Sequence, residues 1–293
     1  MLTCISGFLL FHNELDRNFP RLLRKRFVSL VIPLLVWNIL LVLGLYLVQS
    51  QGLVDYQFAA RKTMYPFDLM TWINGVLSIT DYPINYPMHF LRDLFVMCIF
   101  APWIGKLLRS LPFTGLIAMF VIFVLNLDGQ LIRNDTMIIS FYVGGMAATM
   151  NWDLKRLDRY AILLICLLIL ICALGVSLRV GKLPWLPFLA PFVVWPASSM
   201  MLGTRAGRWL IDHSRASVFL FMFHGLFLLS LKAAFPTLYT SQYAWLVWFA
   251  VPVMAAMVSQ FVFLFFDRFF PASLVILMGG RKKSAPKVSR PGG

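Results

Sequence analysis

The segment Tyr86-Pro-Met-His-Phe-Leu-Arg-Asp-Leu-Phe sets His89, Arg92 and Asp93 at positions i, i+3 and i+4. On a helix that spacing places all three on one side, within one turn of each other. The segment opens a long apolar run, so the trio enters that run at its end. Ionisable side chains inside lipid are costly unless they are paired or wetted. A bundle interior or a water-filled cavity tolerates them. The chemistry open to such a trio is a polar cavity that binds or activates a hydroxyl substrate. The plainer reading is an Arg–Asp pair tethering neighbouring helices, with His89 at the interface.

A second ionisable group stands inside an apolar run. His224 lies in Ser217-Val-Phe-Leu-Phe-Met-Phe-His-Gly, with Ser217 two turns back on the same stripe. A neutral imidazole there needs a hydrogen-bond partner or water. It either lines a cavity as a polar group or proton acceptor, or makes a structural bond between helices. Arg21, Arg24, Lys25 and Arg26 form a cluster at the entrance of the next run. Such a cluster is first a topology signal. Its sharper use is an anion clamp for the phosphates of a cytosolic donor, a task that suits guanidinium geometry. His12, Glu14, Asp16 and His213 read as solvated. Cys4, Cys98, Cys166 and Cys172 have no zinc spacing and no CxxC, and read as small apolar core residues. No metal site is expected, and no Walker A, GxSxG or HExxH pattern occurs.

The elements that position these residues follow from composition. Of 293 residues 60% are hydrophobic and 13% charged, against roughly a quarter charged in soluble domains. The mean hydropathy is +0.80, so there are too few polar residues to cover a globule and the bilayer must be part of the solvent. A spanning helix needs about 20 mostly apolar residues. Apolar runs predict spans near 27–49, 89–107, 112–127, 136–150, 160–178, 185–202, 217–234 and 243–266. Residues 1–11 are apolar but too short to span, and no signal-peptide pattern is present. The stretch 67–79 is mildly apolar and short, and reads as interfacial or re-entrant. The expected fold is an all-α integral membrane protein. It is a multi-pass bundle of about eight full spans plus one partial N-terminal helix, in one domain over 1–278. A disordered basic tail follows over 279–293.

The net charge is +14. In a soluble chain that would point to nucleic acid, but here no surface remains for tracking phosphates, and no nucleic-acid partner is expected. Placing 13–26 in the cytoplasm and alternating thereafter puts nineteen of the 26 basic residues on the cytoplasmic side, the C-terminus included. That bias is the positive-inside rule. The expected location is the inner (plasma) membrane.

With these residues on the page, the chain resembles the acyltransferase 3 family of multi-pass membrane acyltransferases, most closely the branch that modifies sugars and cell-surface glycans. The resemblance is carried by Ile5-Ser-Gly-Phe-Leu-Leu-Phe, Arg24-Lys-Arg-Phe-Val-Ser-Leu-Val-Ile-Pro-Leu-Leu-Val-Trp and His89-Phe-Leu-Arg-Asp-Leu-Phe-Val. It continues in Phe141-Tyr-Val-Gly-Gly-Met and Ser217-Val-Phe-Leu-Phe-Met-Phe-His-Gly. It implies transfer of a short acyl group, usually acetyl, from cytosolic acyl-CoA as co-substrate onto a hydroxyl of a sugar or glycan. It also implies Arg24 and Arg26 near the donor, Arg92 and Asp93 in the family's FLRDL motif, and His224 in its late His-Gly motif. Family members begin with a helix carrying an Arg and, eleven positions on, a His taken as the base. No His here has an Arg eleven positions before it. Met1 is therefore expected to fall within the second helix, and the activity of the chain as written is in question. At position 89 the family more often has Trp, so His89 is an unusual residue and a candidate substitute base. Two rivals stand beside this reading. One is a transporter or flippase of a glycan or lipid precursor, with helices broken at Gly144-Gly145 and at Pro33, Pro102, Pro191 and Pro252. The other is a truncated, inactive protein.

Overall fold

A computed structural model of the chain describes residues 1–52, 63–127, 129, 131–132, 136–178, 186–235 and 244–280. The basic tail expected over 279–293 lies outside the described residues from 281 onward, as do Arg61, Lys62, Arg133, Arg179 and Lys182. The described residues form helices and no strand. In chain order these are α1 (Leu2–His12), α2 (Phe19–Arg26), α3 (Ile32–Ser50), α4 (Leu69–Leu77), α5 (His89–Ser110), α6 (Pro112–Leu125) and α7 (Thr136–Thr149). They continue as α8 (Ala161–Ser177), α9 (Leu186–Met201), α10 (Arg205–Asp212), α11 (Ser214–Ala234), α12 (Ala244–Phe269) and α13 (Pro271–Leu277).

Each expected run coincides with a helix, but length and apolarity separate them. Among the described residues four stretches are long and apolar enough to cross a membrane: Phe19–Ser50, Leu154–Gly175, Ser214–Leu231 and Trp245–Phe269. A fifth arises if α9 and α10, bent by 109° at their junction, are one broken span. α6 and α7 have 14 residues each, about two-thirds of a bilayer crossing. α5 has the length, 22 residues, but carries Arg92, Asp93, Lys106 and Arg109. The lipid-facing character is plainest on α8. Only 6% of the Leu154–Gly175 window is buried, and Ile162, Leu163 and Ile169 are each more than 60% exposed. A helix apolar all round and bare on nearly every side is a stable arrangement only in hydrocarbon. It also corrects one expectation. Cys166 and Cys172 are exposed on α8 rather than packed in a core, Cys4 is half-buried, and Cys98 alone of the four is buried.

The described residues fall into two compact units. The first comprises Met1–Arg26, Ser78–Tyr82 and Met88–Arg215. Its tightest helix pair is α1 with α7. Gly7 lies against the backbone carbonyl of Phe141, and Gly144 against the backbone carbonyl of Cys4. Two small residues set reciprocally let the backbones meet, the packing mode membrane helices use when hydrophobic drive is absent. Leu10 and Phe11 complete the seam against Phe141, whose ring meets Phe11 edge-on at 5.7 Å. α6 joins through Tyr142, whose hydroxyl donates to the Pro112 carbonyl at 3.0 Å.

A methyl at Gly144 would meet a backbone oxygen, which has no rotamer to escape into. Gly144→Ala should therefore destabilise by at least the usual overpacking figure, about 1–3 kcal/mol, read as a lower thermal midpoint in detergent. Gly44→Ala is the control, because its added methyl meets nothing within 4 Å. It should shift stability by no more than about 0.5 kcal/mol.

The second unit comprises Phe27–Leu77, Pro83–Pro87 and the chain from Ala216. A π-helical turn, Phe27–Val31, leads into α3. Pro33 lacks the N–H that the Ser29 carbonyl would otherwise receive, and Gly279, with φ of 69°, packs close against that carbonyl. α13 is tied to α3 by Trp37, whose indole N–H donates to the Leu277 carbonyl at 3.1 Å. The expected re-entrant stretch forms the short helix α4, held on α3 by Asn38, whose amide donates to the Val76 carbonyl at 2.8 Å. Asp68 caps α4: the Thr71 backbone N–H donates to its carboxylate at 2.7 Å. Donation from the Thr71 side chain and backbone holds that carboxyl below its ordinary range.

Candidate active site

α5 begins at His89, directly after a 3₁₀ turn, Tyr86–Met88. Its first turn carries the trio. Asp93 faces the interior with its side chain 0% exposed, and Arg92 is 14% exposed. Adjacent helix positions point about 100° apart and do not face each other. Arg92 nonetheless curls round, and its Nη1 donates to Asp93 Oδ1 at 2.9 Å. The burial of a carboxylate in an apolar helix is thus compensated by a charge-assisted bond. His89 meets the Tyr82 ring edge-on, with centroids 5.6 Å apart. So the trio shares one end of α5 as its spacing implied, with the Arg92–Asp93 pair as its centre and His89 turned to an aromatic neighbour.

The second ionisable group, His224, stands at mid-length of α11. Its Nδ1 lies 3.0 Å from the Leu220 carbonyl, one turn back on the same helix. A carbonyl only accepts, so Nδ1 carries the proton and Nε2 keeps its lone pair. The imidazole lines a groove of about 430 Å³, whose walls include Ser217, Leu220 and Phe221 of α11 and Val251 and Pro252 of α12. Ser217 and His224 do share one surface, as their spacing predicts. The groove is otherwise apolar, so the Nε2 lone pair is its principal basic feature. The next residue, Gly225, lies against the amide oxygen of Asn85. The Asn85 amide donates to the Met222 carbonyl at 3.1 Å. A side chain at 225 would displace that asparagine, which explains why His is followed by Gly here.

The cationic cluster divides. Arg21, Arg24 and Lys25 of α2 are exposed. Arg26 is half-buried, with its Nε shielded from solvent and its guanidinium in electrostatic range of Cys98 on α5. Two residues along a helix is a 200° rotation, so Arg24 and Arg26 cannot present to the same side.

Sequence reasoning missed a buried ionic contact altogether. Asp16, expected in solvent, is buried, and its Oδ2 accepts from Arg109 Nη2 at 2.7 Å. The carboxylate fits because Gly105, one turn before Arg109, has no side chain at that point. The small-residue-then-arginine spacing on α5 was the available signal. Asn85 was missed too, since it lies in a loop with no apolar pattern of its own. Among the described residues no three His, Cys, Asp or Glu side chains gather as for a metal.

The profile of the acyltransferase domain family matches residues 1–265. Succinoglycan biosynthesis protein ExoH from Rhizobium meliloti (strain 1021) is 24% identical over 302 residues, spanning 99% of this chain and 80% of that protein. No solved structure matches. A profile that runs from Met1 through α12 takes in the α1–α7 glycine seam, the Arg92–Asp93 turn and the His224 stripe alike, and the chain belongs to the acyltransferase 3 family.

Proposed function

We propose that this chain is a multi-pass membrane O-acyltransferase that moves a short acyl group from a cytosolic acyl-CoA to a hydroxyl of a glycan. The family match carries this reading. The relative named for succinoglycan biosynthesis supports a glycan as acceptor. The eight apolar runs, crossing alternately with 13–26 and the C-terminus in the cytoplasm of a plasma membrane, supply the topology. They do so as one domain over 1–278.

In the reaction an imidazole takes the acceptor's hydroxyl proton as the oxygen attacks the thioester carbonyl. The C–S bond breaks, the new C–O ester bond forms, and the CoA sulfur leaves with a proton returned from the imidazolium. His224 is proposed as that imidazole, because it lines the groove beside Ser217 with its Nδ1 bonded to the Leu220 carbonyl. His89 is the alternative base. Arg92 and Asp93 hold the polar end of α5 in place for the acceptor or acyl route.

Arg24, exposed at the end of α2, is proposed to hold donor phosphates, and Arg26 to act inside the helix packing. Arg24→Ala should raise the KM for acyl-CoA about tenfold, the loss of one charge-assisted hydrogen bond, and leave kcat unchanged. Arg26→Ala should leave that KM unchanged and lower the thermal midpoint instead. Equal effects of the two variants on KM would remove the distinction.

The reading as a whole is tested with the full chain in proteoliposomes, supplied with radiolabelled acetyl-CoA and an exopolysaccharide oligosaccharide. Label in a base-labile ester of the oligosaccharide supports it. Vectorial movement of oligosaccharide in the absence of acyl-CoA would support a transporter instead. The structure gives the transporter little: Gly144 and Gly145 lie within an unbroken α7 and serve its packing on α1.

A further inference from the structure

α10 is the helix whose sequence and surroundings agree least with a place inside a bundle. α9 ends at Met201, and within three residues the chain turns by 109° into α10. The corner is built rather than loose. Gly203 has a φ of 81°, a left-handed conformation suited to glycine. The Thr204 hydroxyl donates to the Met201 carbonyl at 2.8 Å and accepts from the Gly207 N–H at 3.0 Å. Gly207 lies against that same Met201 carbonyl. Arg208 Nη1 donates to the Gly203 carbonyl at 2.6 Å. At the other end His213 Nδ1 donates to the Trp209 carbonyl at 2.8 Å and its ring stacks on the Trp209 indole at 4.5 Å. A helix fixed at both ends and set across the axis of an apolar helix runs along the membrane plane if α9 crosses it.

The faces of α10 fit that placement. At 100° per residue, Arg205, Arg208 and Asp212 share one arc, and Gly207, Leu210 and Ile211 the opposite one. Gly207 is buried against the corner, whereas Leu210 and Ile211 are 46% and 61% exposed, and Trp209, about 40° round from Arg205, is 59% exposed. Within its own compact unit no other described helix packs substantially on α10. Its apolar side chains therefore need a cover, and its polar arc brings two arginines against one carboxylate, with Arg215 three residues on.

We propose that α10 is a surface helix that docks onto the anionic phospholipid head groups of the leaflet at the end of α9. Leu210 and Ile211 would sit at the acyl boundary, and Arg205 and Arg208, with Trp209 beside Arg205, at the head groups. Trp at the head-group level and cations facing anionic lipid are the pattern of interfacial helices. An eight-residue helix is about 12 Å long. That offers far less area than the roughly 800 Å² per partner of a stable protein interface, whereas the bilayer is already held beside it by α9. The inference does not depend on the enzymatic reading.

The test uses the full chain in phosphatidylcholine nanodiscs and in nanodiscs that also contain phosphatidylglycerol, with amide hydrogen exchange followed over 205–212. Phosphatidylglycerol should slow exchange about fivefold for each arginine, so roughly 25-fold for the pair. Arg205→Gln, whose side chain takes no part in building the corner, should lose about fivefold of that protection. The double variant R205Q/R208Q should exchange alike in both lipids, and Arg205→Lys should keep the protection. Equal exchange of the native chain in both lipids would overturn the proposal, including the case of slow exchange throughout, which would mean that α10 lies within a broken span. Protection in phosphatidylcholine discs by soluble glycerol phosphate would also overturn it, in favour of a soluble-anion site.

Discussion

Asp93→Ala should destabilise the protein by about 3–5 kcal/mol, the usual effect of removing one partner from a buried ion pair. The carboxylate is wholly buried and Arg92 nearly so. Its loss leaves the guanidinium without the adjacent carboxylate in a largely apolar helix. The measurement is the thermal midpoint in detergent, with acyl transfer assayed on the folded fraction. Arg92→Ala should be at least as severe, because the charge it leaves uncompensated is the wholly buried Asp93 carboxylate, whereas Arg92 keeps some access to solvent. The cycle R92A, D93A and R92A/D93A separates pairing from burial. If the pair is coupled, the double variant loses less than the sum of the singles, by about 0.5–3 kcal/mol. Strict additivity would mean that the 2.9 Å bond contributes nothing of its own, and that each side chain is held by other neighbours.

What separates Asp93 from Asp16 shows where sequence reading reaches its limit. Asp93 sits inside an apolar run next to an arginine, so its pairing is legible from the adjacent residue. Asp16 sits among arginines at the edge of a run, and its partner, Arg109, is 93 positions away. Only the packing of the 3₁₀ turn Leu15–Arg17 onto Gly105 decides that it is buried. The same contrast holds for the glycines. Ser6-Gly7 and Gly144-Gly145 are visible as motifs, but that Gly7 and Gly144 each face a backbone carbonyl of the other helix requires the α1–α7 crossing itself. Helix type followed directly from apolar runs, because lipid leaves an isolated chain segment no other way to satisfy its backbone. Helix length did not follow: the run 112–127 yields 14 helical residues. Arg24 and Arg26 were read as one clamp from charge alone, and the helical turn between them separates their directions.

His224→Ala should lower kcat by about 10²–10⁴-fold, the range for removing a general base, with the KM for acyl-CoA unchanged. Because Nδ1 is committed as donor to the Leu220 carbonyl, Nε2 is left as the accepting nitrogen at the groove that Ser217 also lines. A base must offer a lone pair in the resting enzyme, and a helix-locked imidazole does so without reorganisation. His89→Ala should stay within about threefold of the native kcat, since its ring packs edge-on to Tyr82 and is not proposed to take the proton. If instead His89→Ala lowers kcat by about 10²–10⁴-fold while His224→Ala stays within about threefold of the native value, the base belongs to the end of α5. The imidazole of α11 would then be a structural group that spends its one donor on its own helix.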